Sequence, residues 1–160
     1  MFLKIVCLAA ILPLSLAANA QGAPVGKWQL SIGGLSYHIP HDRPRNEVNY
    51  GLGVEYQWTK NTAFQAGFYE NSGYSRSKYL FVQYHPFELF NVRFGATAGL
   101  VDGYPTLNDG KFAPVVVATF SKQWERMGIN GIFMPPLKDK GGVLFVGFKF
   151  PFDELKMLGN

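Results

Sequence analysis

Cysteine is nearly missing from this 160-residue chain: the single thiol is Cys7. It lies in an apolar run, Ile5 to Leu16, that follows Lys4 and precedes Ala18-Asn19-Ala20. A positive charge, a short apolar core and a small-x-small site predict a Sec signal peptide over residues 1–20, cleaved after Ala20. The chain beyond it then holds no thiol, which excludes disulfides, thiolate metal sites and cysteine nucleophiles. No later apolar run approaches the ~20 residues of a membrane helix. Basic runs are missing too. Without Lys4 the chain keeps 14 basic against 11 acidic side chains, and nothing in their spacing predicts a nucleic-acid partner. G-x-S-x-G, H-E-x-x-H and phosphate-loop motifs do not occur, and no segment carries a helical period over its length.

Aromatics and alternation are present instead. Along Tyr50–Trp58, residues Tyr50, Leu52, Val54, Tyr56 and Trp58 share one face, and Gly51, Gly53, Glu55 and Gln57 share the other with Asn49. Such period-2 alternation marks a strand. After Thr59-Lys60-Asn61 it resumes with Phe64, Ala66 and Phe68, so the two strands form a hairpin. Bulky apolar residues on one face with small and polar ones on the other suit a barrel that faces lipid outward. A soluble, exported β-barrel or sandwich with an aromatic core is the competing reading.

Eight extended segments are predicted, at about 28–38, 49–58, 62–70, 78–84, 91–101, 113–122, 128–133 and 143–152. The intervening breaks alternate in length. Those at 39–48, 71–77, 102–112 and 134–142 are longer and more polar than those at 59–61, 85–90 and 123–127. Long external loops and short periplasmic turns are the pattern of bacterial outer-membrane barrels. Trp28, Tyr37, Tyr50, Trp58, Tyr69, Tyr79, Tyr84, Tyr104 and Trp124 fall near strand ends, as interfacial girdles would. The predicted fold is therefore all-β: an eight-stranded antiparallel up-and-down outer-membrane β-barrel, a single domain over residues 21–160.

In that topology His38 ends the first strand, and Asn71 and Ser72 end the third. A histidine near a serine hydroxyl can act as general base in acyl transfer, with a third polar group orienting the imidazole. On residue type alone, such a histidine is more often a loop or rim histidine and such a serine a turn serine. His38, His41 and Asp42 are spaced as a metal candidate, but no further ligands stand at a recognisable spacing, so no metal is assigned. Pro114 and Pro135 lack the N–H that a ladder needs. They either weaken a seam through which a lipid tail could pass or simply occupy strand ends.

Several short stretches fall in a familiar order: S-Y-H at 36–38, R-N-E at 45–47, Y-G-L-G-V-E-Y at 50–56, F-Y-E-N-S at 68–72, A-G-L-V at 98–101, P-V-V-V-A-T-F-S at 114–121, F-M-P at 133–135 and F-K-F at 148–150. Through them the chain resembles the lipid A palmitoyltransferases of the PagP family, as a divergent member. The resemblance implies an enzyme that moves an acyl chain from a phospholipid donor to lipid A in the outer leaflet, with an interior pocket that measures the chain. It implies a catalytic set in which His38 and Ser72 match the family's His and Ser, while Asn71 stands where the family has Asp. Glu47 and Asp42, in the first long loop, are possible replacements for that carboxylate. Pro114 and Pro135 match prolines near the family's lateral openings. Gly34, Gly67, Gly95 and Gly147 are candidates for making room at mid-barrel. The family's helix before the first strand has no counterpart in Gln21–Gly26. The expected setting is the outer membrane of a Gram-negative bacterium, as a monomer with membrane lipids as partners, no cofactor and no nucleic acid. The alternatives are a non-catalytic barrel of the same build that binds lipid or has a structural role, and an ester hydrolase.

Overall fold

A computed structural model describes residues 25–40, 44–136 and 141–153. The predicted leader, and His41 and Asp42, lie outside the described residues. Eight strands follow in order: β1 (Trp28–Ile39), β2 (Val48–Gln57), β3 (Thr62–Glu70), β4 (Arg76–Leu89), β5 (Val92–Val101), β6 (Ala113–Gln123), β7 (Gly128–Met134) and β8 (Gly142–Pro151). Each pairs antiparallel with its chain neighbour, and β1 pairs with β8, so the sheet closes on itself. Closure leaves no strand at an open sheet edge, the arrangement that hydrocarbon requires of a spanning sheet.

The polarity is inverted relative to a water-soluble core. Among the described residues the fully buried apolar side chains are only Ala63, Val101 and Ala113, whereas Gln29, Glu55, Gln57, Ser77, Ser121 and Lys149 are at or near zero exposure. Leu80 and Val116 are 57% and 66% exposed on the outside. On β2 the faces divide as the alternation predicts: Asn49, Gly53, Glu55 and Gln57 point in, and Tyr50, Leu52 and Val54 point out. On the outer face Gly131 leaves room for the Phe120 ring, into which a Cβ would run.

One boundary differs from the sequence prediction. The break expected at 85–90 is strand: β4 continues to Leu89 and turns within Phe90–Asn91, both at positive φ of 53° and 59°. Two consecutive left-handed residues fit the tight hairpin turn that matches strand twist. Pro86 does not end the strand. It lies where the β4–β5 register shifts between Tyr84 and Phe87, a bulge that tolerates a residue without N–H. The loop asymmetry holds. Connections 58–61, 90–91 and 124–127 gather at one end, and 40–47, 71–75, 102–112 and 135–141 at the other.

Candidate functional site

His38 points into the lumen near the long-loop end of β1 and is 5% exposed. Its ring Nδ1 lies 3.6 Å from Glu47 Oε1, and its backbone N–H donates to the same oxygen at 3.4 Å. Glu47 belongs to the first long loop, which is held against β1 by Ser36 N–H donating to Glu47 O at 2.8 Å. A buried imidazole beside a partly exposed carboxylate is an arrangement from which a histidine can act as a base.

Asn46 links this pair to the end of β3. Its backbone N–H donates to Ser72 O at 3.0 Å, and its Nδ2 donates to Glu70 Oε1 at 3.2 Å and Asn71 O at 3.3 Å. The structure thus ties the loop that carries Glu47 to both Asn71 and Ser72, but neither of those side chains hydrogen-bonds His38. Ser72 is half-buried just beyond β3. The Asn71 side chain is fully occupied elsewhere. Its Oδ1 accepts from Gly73 N at 2.9 Å and Ser75 N at 3.1 Å, and its Nδ2 donates to Ser77 Oγ and Gly103 O, each at 2.9 Å. Asn71 therefore organises the 71–75 turn and fastens it to the 102–112 loop. Glu47 lies beside His38, and Asp42, the other loop carboxylate, is outside the described residues.

Asn71→Asp tests that assignment. A carboxylate would set an oxygen against the Gly103 carbonyl and lose the donated bonds, so the substitution is expected to destabilise the barrel by about 2 kcal/mol. The urea midpoint of the folded band in detergent reads the effect. A rise in stability would contradict the turn-organising role.

Pro114 lies outward on β6, opposite Leu100 of β5, and Pro135 directly follows β7. Between them the ladder ends early. The β6–β7 pairing stops at Ala118↔Phe133, so residues 113–117 pair with β5 but with no β7 residue. The lumen-facing side chains beside this gap, Val115, Val117, Ile132, Val143 and Phe145, are apolar and only half-buried. Across the lumen the room beside Gly53 and Gly67 is taken by Tyr79, whose hydroxyl lies against both. Gly34 and Gly147 face each other across β1 and β8 in close backbone contact, and a Cβ at Gly95 would meet the β4 backbone. Tyr104, from the 102–112 loop, hydrogen-bonds Tyr69 through their hydroxyls at 2.8 Å. Burial raises the Tyr104 phenol above its ordinary pKa, so this contact stays neutral. Among the described residues no cluster of three or more His, Cys, Asp or Glu side chains could hold a metal.

The short-turn half of the lumen holds what sequence reasoning missed. Lys149 Nζ donates to Glu55 Oε1 at 2.7 Å and to Ser121 Oγ at 3.1 Å. Gln65 and Asn130 donate to Glu55 Oε2 at 2.5 and 2.6 Å. His85 Nε2, Thr119 and Thr97 form a second buried chain at 3.0 and 3.1 Å. Lys149 in F-K-F is the one charge within an apolar strand, and Glu55 in V-E-Y is the one charge on the inner face of its strand; those two charges on lumen-facing positions were the available signal.

No protein-family model matches the chain, and no curated protein matches it. Among solved structures, a transmembrane β-barrel from a de novo design study superposes at TM-score 0.56 with 10% identity, over 82% of this chain and 99% of that one. The N-terminal β-barrel domain of Pseudomonas aeruginosa OprF superposes at 0.46 with 14% identity, over 80% and 98%, too loosely to carry weight. The chain has the fold of an eight-stranded transmembrane β-barrel of the outer-membrane type.

Proposed function

We propose that this barrel transfers an acyl chain between membrane lipids at the outer leaflet, from a phospholipid to lipid A or a related acceptor, as the resemblance to the PagP family implies. The observation that carries the reading is the His38–Glu47 pair at the long-loop rim, 3.6 Å apart and partly shielded from water. His38 acts as general base on the acceptor hydroxyl, and Glu47 stabilises the imidazolium that forms. Ser72, held near by Asn46, assists the base or binds the oxyanion. The apolar side chains Val115, Val117, Ile132 and Phe145, beside the unpaired stretch of β6, suit an acyl tail that enters sideways between Pro114 and Pro135. The polar network around Glu55 and Lys149 supplies a floor that a hydrocarbon tail does not cross.

A second reading keeps the barrel and drops the turnover: a lipid-binding or structural protein. It draws on the commitment of Asn71 to its own turn, which leaves the family's Asp position without a catalytic part.

Purified barrel reconstituted with a phospholipid of defined chains and lipid A separates these. Transfer is expected to yield lysophospholipid and acylated lipid A one for one. Free fatty acid without acylated lipid A would assign hydrolysis, and intact lipids around a folded barrel would assign the non-catalytic reading.

A further inference from the structure

Away from the rim, a second set of reactive groups lies in the buried network of the short-turn half. Lys149 and Glu55 are 1% and 0% exposed, with Nζ 2.7 Å from Oε1. The other oxygen of that carboxylate, Oε2, accepts from Asn130 Nδ2 at 2.6 Å. One carboxylate therefore holds an amine and a carboxamide at the same time. Strand register puts those two side by side. Lys149 on β8 is opposite Gly128 on β7, and Asn130 is opposite Gly147, so the two are diagonal neighbours on adjacent strands. Gly128 leaves the lysine room: a Cβ there would come within 2.9 Å of Lys149 Cε. The lysine stem leans over β7, and Nζ reaches Ser121 Oγ on β6 at 3.1 Å. Ser121 is the direct partner of Asn130 across β6 and β7, so a stem that runs from β8 to Ser121 passes beside Asn130. Asn130 Oδ1 is buried and has no hydrogen-bond partner among the described residues.

We propose that Lys149 and Asn130 condense to an intramolecular isopeptide bond, with Glu55 as the catalytic carboxylate, and that this amide staples β7 to β8. Glu55 takes a proton from the Nζ ammonium, which leaves a neutral amine. Nζ attacks Cγ of Asn130, and the Cγ–Nζ bond forms. Glu55 then gives its proton to Nδ2 and takes a second one from Nζ. The Cγ–Nδ2 bond breaks, and neutral ammonia leaves. The product is a secondary amide beside a protonated Glu55, so the ion pair is discharged with no net change in charge and no co-reactant. A dry site favours that outcome, because a buried ion pair carries a desolvation penalty that an amide and a carboxylic acid largely escape. It also excludes water, the competing nucleophile. The three groups are far apart in the chain and meet only in the closed barrel, so the bond follows folding. A newly folded barrel holds the ion pair, and the amide accumulates afterwards. Gln65 also reaches Oε2, but from β3, whereas Asn130 is on the strand that pairs with β8. The step is independent of the acyl-transfer reading, since it involves neither His38 nor Glu47.

Intact-mass spectrometry reads the reaction directly, on the purified chain refolded from guanidinium chloride into detergent micelles and sampled over days. The folded chain is expected to become lighter by the mass of one ammonia, while the same chain kept in guanidinium chloride is not cross-linked. Tryptic mapping places the loss. Cleavage after Lys149 is expected to disappear, and the peptide Met127–Lys138 to be recovered joined to Gly141–Lys156. Lys149→Arg is expected to abolish the joined peptide, and Glu55→Gln to lower its yield at equal times at least about tenfold. Heat-modifiable migration confirms that each variant is folded, and the peptide map of the parent decides the matter without them. Complete cleavage after Lys149 in the aged, folded parent, a joined peptide that carries Gln65 in place of Asn130, or equal cross-linking in guanidinium chloride or in folded Glu55→Gln would overturn the proposal.

Discussion

Lys149→Ala is expected to lower the folding stability of the barrel by about 3–5 kcal/mol, the cost of stranding a buried charge. Lys149 and Glu55 have side-chain exposures of 1% and 0%, and their contact joins β8 to β2 across the lumen. Truncating Lys149 leaves the Glu55 carboxylate with neutral donors only, from Gln65 and Asn130. Glu55→Ala strands the ammonium in the same way, with Ser121 as its remaining partner. The pair itself need not be worth that much, because its Coulomb attraction repays a desolvation penalty of similar size. Glu55→Leu combined with Lys149→Met should therefore recover most of what either truncation loses. Urea titration of the heat-modifiable folded form measures all three variants against the parent. A single truncation that lowers stability by less than about 1 kcal/mol would place water around the pair and contradict its dry, network-forming role.

His38→Gln is expected to reduce lysophospholipid release by at least about a hundredfold while leaving the folded fraction unchanged, because general-base catalysis contributes roughly 10²–10⁴ in rate. Glutamine keeps the volume and a hydrogen-bonding end but cannot take the acceptor's proton. Glu47→Gln should fall by a smaller factor, about tenfold, since it removes only the charge that favours the imidazolium. Asn71→Ala should act on stability rather than on the chemical step. A His38→Gln protein as active as the parent would remove His38 from the mechanism, and an Asn71→Ala protein that folds normally but loses turnover would return Asn71 to it.

The parts of the fold that could be read from the chain are those set by local physics. Tyr50–Trp58 reports its two faces because a strand alternates side chains by geometry alone. The unequal breaks report the two ends of the barrel because turns and loops differ in length whatever their contacts. The break expected at 85–90 is strand: Pro86, of a residue type that usually ends a ladder, sits in a bulge, and nothing local distinguishes the two. The site was legible only by residue type. His38 could be placed at the rim, and Glu47 appeared as one of two carboxylates in the same loop. Their approach to 3.6 Å depends on that loop folding back on β1. The occupation of Asn71 by Gly73, Ser75, Ser77 and Gly103 depends on two loops meeting, which no spacing encodes. The Glu55–Lys149 contact spans 94 residues and follows from closing the barrel, so two isolated inward charges became one buried network only in three dimensions.

Mass spectrometry of lipid A from a Gram-negative host without its own palmitoyltransferase tests acyl transfer most directly. Cells that express the parent chain are expected to carry lipid A heavier by one acyl chain, and cells that express His38→Gln at the same folded level are expected to carry none. Unmodified lipid A in both, with both barrels folded in the outer membrane, would contradict the account.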